Sequence, residues 1–243
     1  MGMRMEPVMA IEAALDQGGL YRLMAWLSPA FPVGAFAYSH GIECAIEQGQ
    51  VRDRETLARW VEAIVCRGAG AVDAVLFRES WRAAAADDAA ALGRIAELGA
   101  VWRGSTETAL ESESQGTAFL DTVAAVWPDL KLSEWRAGLR GDGSQVAYAV
   151  AVGAAAGRMG LPLPLTLFAF LQAFAANLVS AGVRLIPLGQ TDGQRIVASL
   201  ENALAAAAEA ALVRPLDDMG AATPMVDWTS MLHETQYTRL FRS

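Results

Sequence analysis

Apolar residues recur along most of this chain at spacings of three and four. Leu20, Leu23, Met24 and Leu27 form one such set. Leu57, Trp60, Val61, Ile64 and Val65 form a longer one, and Phe119, Leu120, Val123, Val126 and Trp127 a third. Side chains at these intervals share one face of a helix, and that face must be buried. Alternating runs of Val, Ile and Thr, the mark of strands, are hard to find. Alanine runs at 83–86 and 205–208 favour helix and let helices pack closely. The pattern predicts an all-α fold, one compact domain of roughly ten helices.

Breaks in the pattern place the ends. Helices are expected near 70–86, 88–103, 106–127, 133–139 and 144–159. Pro162 and Pro164 open another, and 163–184 is expected to be the most buried helix, with Phe168, Leu171, Phe174, Leu178 and Val179 facing the core. Thr191 with Gln194 has the spacing of a capping box for a helix through Leu212. The segment 214–224 is expected to be a loop, after which Thr223 caps a last helix with Pro224 at its first position. No linker separates two domains. Residues 1–19 are an N-terminal extension, and 225–243 a C-terminal helix and tail.

One stretch resists this reading. "FPVGAFAYSHGIE" (31–43) is broken by Pro32 and Gly34 yet carries Phe31, Val33, Phe36 and Tyr38, whereas loops are usually polar. Phe36 and Tyr38 either stand out as rigid interface anchors or cover the core beneath a loop. The end of the chain is also unusual: "HETQYTRLFRS" (233–243) holds aromatic, aliphatic and basic groups where termini normally carry small polar ones. Such a segment is expected to be ordered by contact, with its own body or with a partner.

Composition narrows the function. Hydrophobic residues make up 53% of 243 residues and mean hydropathy is +0.26, so either the core is large or partners cover apolar surface. Net charge is −8, which argues against nucleic acid as a partner. The apolar stretch from Leu161 to Leu185 is interrupted by Gln172 and Asn177 and reads as a core helix, not a membrane span. Glu6, Glu12 and Asp16 occupy the place of a signal peptide's apolar core, so the expected location is cytoplasmic.

Catalytic groups are scarce. Lys131 is the only lysine among nineteen Lys and Arg, and no phosphate-binding glycine motif surrounds it. "GAGA" (68–71) lies between helices and not after a strand. Histidines are two, His40 and His233, and cysteines two, Cys44 and Cys66. They make a poor nickel or zinc site within one subunit, leaving His40 and His233 as weak candidates for a metal shared across an interface. A Cys44–His40 pair is the only nucleophile arrangement on offer. By its own residues the chain does not look like an enzyme.

Three patches carry a resemblance. "LMAWLSPAFPVGAFAYSHGIECAIEQG" (23–49) has Ser28-Pro29, Pro32, Gly34, Ser39, Gly41 and Glu43. "NLVSAGVRLIPLGQTDGQRIVASL" (177–200) has Arg184, Pro187, Leu188, Gly189, Gln190, Gly193 and Gln194. The third, 233–243, has His233-Glu234, Tyr237, Arg239-Leu240 and Arg242-Ser243. In content and order they resemble the urease accessory protein UreF family. "ESESQGTAFL" (111–120) also resembles a family segment, though Thr117 stands where arginine is common.

The resemblance implies a cytosolic, all-helical chaperone without a reaction of its own, acting in nickel insertion into urease. The implied partners are UreD (UreH in some species), the GTPase UreG and the urease apoprotein, and homodimers are common in the family. No cofactor is implied for this subunit: nickel is handled by the complex and GTP is bound by UreG. Nucleic acid and membrane are not among the implied partners. The implied partner-binding residues are Phe36, Tyr38, Glu43, His233, Glu234, Tyr237, Arg239, Leu240, Phe241 and Arg242, with Phe36 and Arg239 helping to recruit UreG and the tail holding UreD. Arg239 could instead simply bridge to a nearby carboxylate such as Glu43. Two other functions stay open: regulation of the partner's GTP hydrolysis, for which an arginine is suitable chemistry, and a Cys44/His40 enzyme.

Overall fold

A computed structural model describes residues 15–141 and 143–243. The N-terminal extension read from the sequence therefore lies largely outside the described residues. Among them the chain forms twelve α-helices and two short 3-10 turns, with no strand.

Helix α1 (Gln17–Trp26) starts where the Asp16 carboxylate accepts the Gly19 N–H at 2.6 Å. It buries Gly19, Leu23 and Trp26; of the predicted face Leu20, Leu23, Met24 and Leu27, Leu23 is inside and Leu27 half-buried. Leu20 and Met24 point outward because Gly19 lies against Leu161 and Trp26 is drawn into an aromatic cluster with Phe119 and Trp127. The odd stretch that follows forms a 3-10 turn at Ala35–Ala37 and then α2 (Ile42–Glu47). Gly34 (φ 74°), His40 (φ 57°) and Gly41 (φ 76°) are left-handed. Gly41 admits no side chain on a second ground: a Cβ there would lie 2.8 Å from the Ser230 nitrogen.

Helix α3 (Arg54–Arg67) opens with an Asp53–Thr56 capping box and buries four of the five predicted residues, Leu57, Val61, Ile64 and Val65, leaving Trp60 half-buried. Helices α4 (Ala69–Ala85), α5 (Ala89–Val101), α6 (Thr106–Val126), α7 (Leu130–Gly141) and α8 (Tyr148–Arg158) follow. The last starts later than the predicted 144, because Ala147 is extended (ψ 143°) and the backbone at Val146 passes close over Gly116 of α6.

Helix α8 is the most buried, with every residue from Ala149 to Gly157 inside. It lies against α4 and α6 at backbone distance. A Cβ on Gly153 would sit 2.4 Å from the Phe77 carbonyl oxygen, and one on Gly157 2.3 Å from that of Trp81. This corrects the expectation for the segment at 163–184. That segment is α9 (Leu163–Leu185), which buries Leu171, Leu178 and Val179 but leaves Phe168 and Phe174 half-buried. By length and composition α9 could cross a membrane, but it packs against α2, α3, α4, α8, α10 and α11.

The predicted capping box at Thr191 is absent. Gly189 precedes α10 (Gln190–Ser199), Thr191 lies inside it, and the chain bends by 43° at Leu200 into α11 (Glu201–Val213). A 3-10 turn at Leu216–Asp218 interrupts the predicted loop. Helix α12 (Pro224–His233) begins as expected, but the Thr223 side chain makes no capping bond.

Candidate functional site

The segment after α12 turns back and lies along α2, α6 and the 3-10 turn. Glu43, in the first turn of α2, holds it. Its carboxylate accepts the Leu240 N–H at 2.7 Å and the Phe241 N–H at 2.9 Å, and lies 3.1 Å from His233 Nε2. Glu107, from the first turn of α6, faces the other ring nitrogen of His233 at 2.6 Å and accepts from Arg239 Nη1 at 2.5 Å. Glu234 accepts the Thr106 N–H at 2.8 Å, closing the start of α6 against the end of α12.

The last residues continue the clamp. Arg242 N–H donates to the Ala37 carbonyl at 2.8 Å, and Ser39 donates from backbone and hydroxyl to the Ser243 main-chain oxygen. The Ser243 hydroxyl donates to Glu111 at 2.8 Å. Arg184 of α9 ties the 3-10 turn to the same segment. Its guanidinium lies 4.5 Å from the centre of the Phe241 ring and donates to the Phe36 carbonyl at 2.9 Å.

The expected partner-binding residues thus divide into two sets. Tyr38, Glu43, His233 and Phe241 are buried. Phe36 (68% exposed), Tyr237 (102%) and Leu240 (67%) stand in solvent, with Glu234, Arg239 and Arg242 also exposed. The two aromatics of the odd stretch therefore separate: the left-handed turns at Gly34 and His40 tuck Tyr38 under the loop and leave Phe36 out. The tail is ordered by its own body. Arg239 does bridge to a carboxylate, but to Glu107, because Glu43 is already occupied by two backbone N–H groups and His233.

Glu107, Glu111, Arg184 and Ser39 complete the arrangement. Arg184 and Ser39 sit in the motif patches. Glu107, Glu111 and Gln115 follow one another at four-residue steps on α6, a polar stripe whose burial was the missing signal. Glu111 and Gln115 are joined at 3.2 Å.

Cys44 and His40 do not form a nucleophile site. His40 precedes α2 in a left-handed conformation, so it is not one helical turn from Cys44. Burial, then Glu47 and Glu43, push the Cys44 thiol up, away from the reactive thiolate. His40 Nδ1 lies 3.5 Å from Glu111, and both nitrogens of His233 face carboxylates. Among the described residues no group of three or more His, Cys, Asp or Glu has the geometry to hold a metal ion.

What this arrangement offers is a clamped, mixed aromatic and basic face. Comparison with known proteins identifies relatives of the whole chain. The family model UreF matches residues 51–201. The urease accessory protein UreF of Granulibacter bethesdensis is 54% identical over 231 residues, covering 95% of this chain and 97% of its own. That of Bradyrhizobium diazoefficiens is 49% identical over 239 residues, covering 98% of each. A family model over more than half of the chain and relatives at about 50% identity over nearly its full length make this chain a member of the UreF family of urease accessory proteins.

Proposed function

We propose that the chain is a non-catalytic, cytoplasmic scaffold of urease maturation, which binds UreD and recruits the GTPase UreG so that nickel is inserted into the urease apoprotein. The observation that carries this reading is the exposed face at the clamp. Phe36, Tyr237 and Leu240 are large apolar side chains held in solvent by a rigid frame, beside Arg239 and Arg242. Aromatic and arginine side chains on a pre-ordered surface are the usual anchors of a protein interface. The buried residues Tyr38, Glu43, His233 and Phe241 serve this face by fixing its shape. A homodimer would present two copies of it to the complex.

The test is to make Phe36→Ala and Arg239→Ala and, separately, to remove residues 234–243. Each point variant is expected to keep its helical spectrum and lose at least tenfold in UreG recruitment by the UreD-bound protein, as an anchor worth about 2 kcal/mol implies. The truncation is expected to lose UreD as well. Normal recruitment by both point variants would place the interface elsewhere. Single-turnover GTP hydrolysis by UreG, with and without this protein, separates recruitment from control of the GTPase.

A further inference from the structure

A second surface, apart from the clamp, has the chemistry of a receptor. Thr56, Arg59, Trp60, Ala63 and Arg67 make one continuous stripe along α3 and face Ala222–Val226, where α12 begins. The cleft between them has a volume of about 270 Å³. Three buried polar atoms at its lining have no partner among the described residues: Gln50 Oε1, Trp60 Nε1 and Thr223 Oγ1. Thr223 is only 7% exposed, and its hydroxyl does not cap the helix it precedes.

Unpaired buried polar groups are costly, and three at one cleft call for a reason. The first turn of α12 leaves backbone N–H groups without a side-chain cap, with the positive end of the helix dipole towards the cleft. Arg59 makes no ion pair among the described residues, and Arg67 only a 3.5 Å contact with Glu62. On a chain of net charge −8, Arg59 and Arg67 are the only charged residues that line this cleft among the described residues. Beyond it, Met225 (50% exposed), Trp228 (54%) and Met231 (46%) form an apolar stripe along the outside of α12.

We infer that this cleft seats an acidic side chain of a protein partner, its carboxylate held by Arg59, Arg67 and the start of α12, with neighbouring apolar side chains on Met225, Trp228 and Met231. A free anion would use the basic cleft and leave the apolar stripe bare; a peptide uses both.

The intact protein, labelled with nitrogen-15, is titrated with the acetylated, amidated tetrapeptide LEAL, its counterpart LQAL and inorganic phosphate. The readout is the Trp60 indole N–H signal, identified by its loss in Trp60→Phe. LEAL is expected to shift that signal, with at least tenfold weaker binding for LQAL. Binding of LEAL to the double variant Arg59→Gln/Arg67→Gln is expected to weaken as much, with unchanged melting because both arginines are at the surface. The inference is overturned if LEAL leaves the indole signal in place, as it will if Gln50 and Trp60 simply satisfy each other. It is equally overturned if LQAL matches LEAL, or if phosphate binds as tightly as the peptide. The LEAL and LQAL comparison on the unaltered protein decides the matter even if the double variant is destabilised.

Discussion

Glu43 is a buried carboxylate that accepts two backbone N–H groups and faces a histidine. Glu43→Gln keeps the shape but turns one acceptor into a donor pointing at a donor. Hydrogen bonds to a charged group are worth about 1.5–3 kcal/mol each, so the variant is expected to lose roughly 2 kcal/mol or more. Hydrogen exchange would show it as faster exchange at Leu240 and Phe241, with α8 unchanged.

Asp129 is a separate case at the same scale. Burial alone would raise its carboxyl, but the Leu132 N–H and the Arg158 guanidinium outweigh that and hold it below the usual carboxylate range. A carboxyl depressed by folding stabilises the protein above its unfolded value, near 4, and that stability is lost as pH falls through the folded value. Asp129→Asn should therefore melt lower at pH 7, by the equivalent of about 1 kcal/mol, with the gap closing below about pH 4. A gap that persists at pH 2 would show that the charge is not its source.

Among the elements, α4 and α8 meet so closely that glycine is required. Gly153→Ala would push a methyl to 2.3 Å from Ser80 Oγ and 2.4 Å from a carbonyl, and is expected to cost about 3 kcal/mol. Gly93→Ala, in the middle of α5 with open space around it, should instead stabilise by about 0.5–1 kcal/mol. Denaturant midpoints of the two variants should move in opposite directions. The same packing explains which helices were legible in the sequence. Helix α3 has one wet face and one dry face, so its stripe is plain. Helix α8 is dry on every face, and a helix buried all round has no periodicity to read. The bend at Leu200 was hidden as well, because neither glycine nor proline marks it.

Over the whole molecule, the all-helical class and the two ends of the clamp were readable, since Glu43, His233, Arg239 and Phe241 lie in distinctive motifs. Their connection was not. Glu107 and Glu111 reach the clamp from α6, and nothing local to those positions shows which distant segment they meet. Removing residues 234–243 leaves Glu43, Glu107 and Glu111 short of the donors they hold. The truncated protein is expected to keep its far-ultraviolet helical spectrum yet lose on the order of 2–4 kcal/mol, from several buried acceptors stripped at once. An unchanged thermal melt would show that the tail contributes nothing to the fold.

The clamp also imposes an order in time. Its bonds join Ser39 to Ser243 across 204 positions and Glu43 to Leu240 across 197. During synthesis α4 can meet α8 before the tail is made, but Glu43 has no partner in the tail until Leu240 and Phe241 have left the ribosome. Contacts of such long separation are slow to form because the intervening chain must first be gathered in. The surface bearing Phe36, Tyr237 and Leu240 thus takes shape after the helical body. A truncated or stalled chain can have a folded helical body and still lack it.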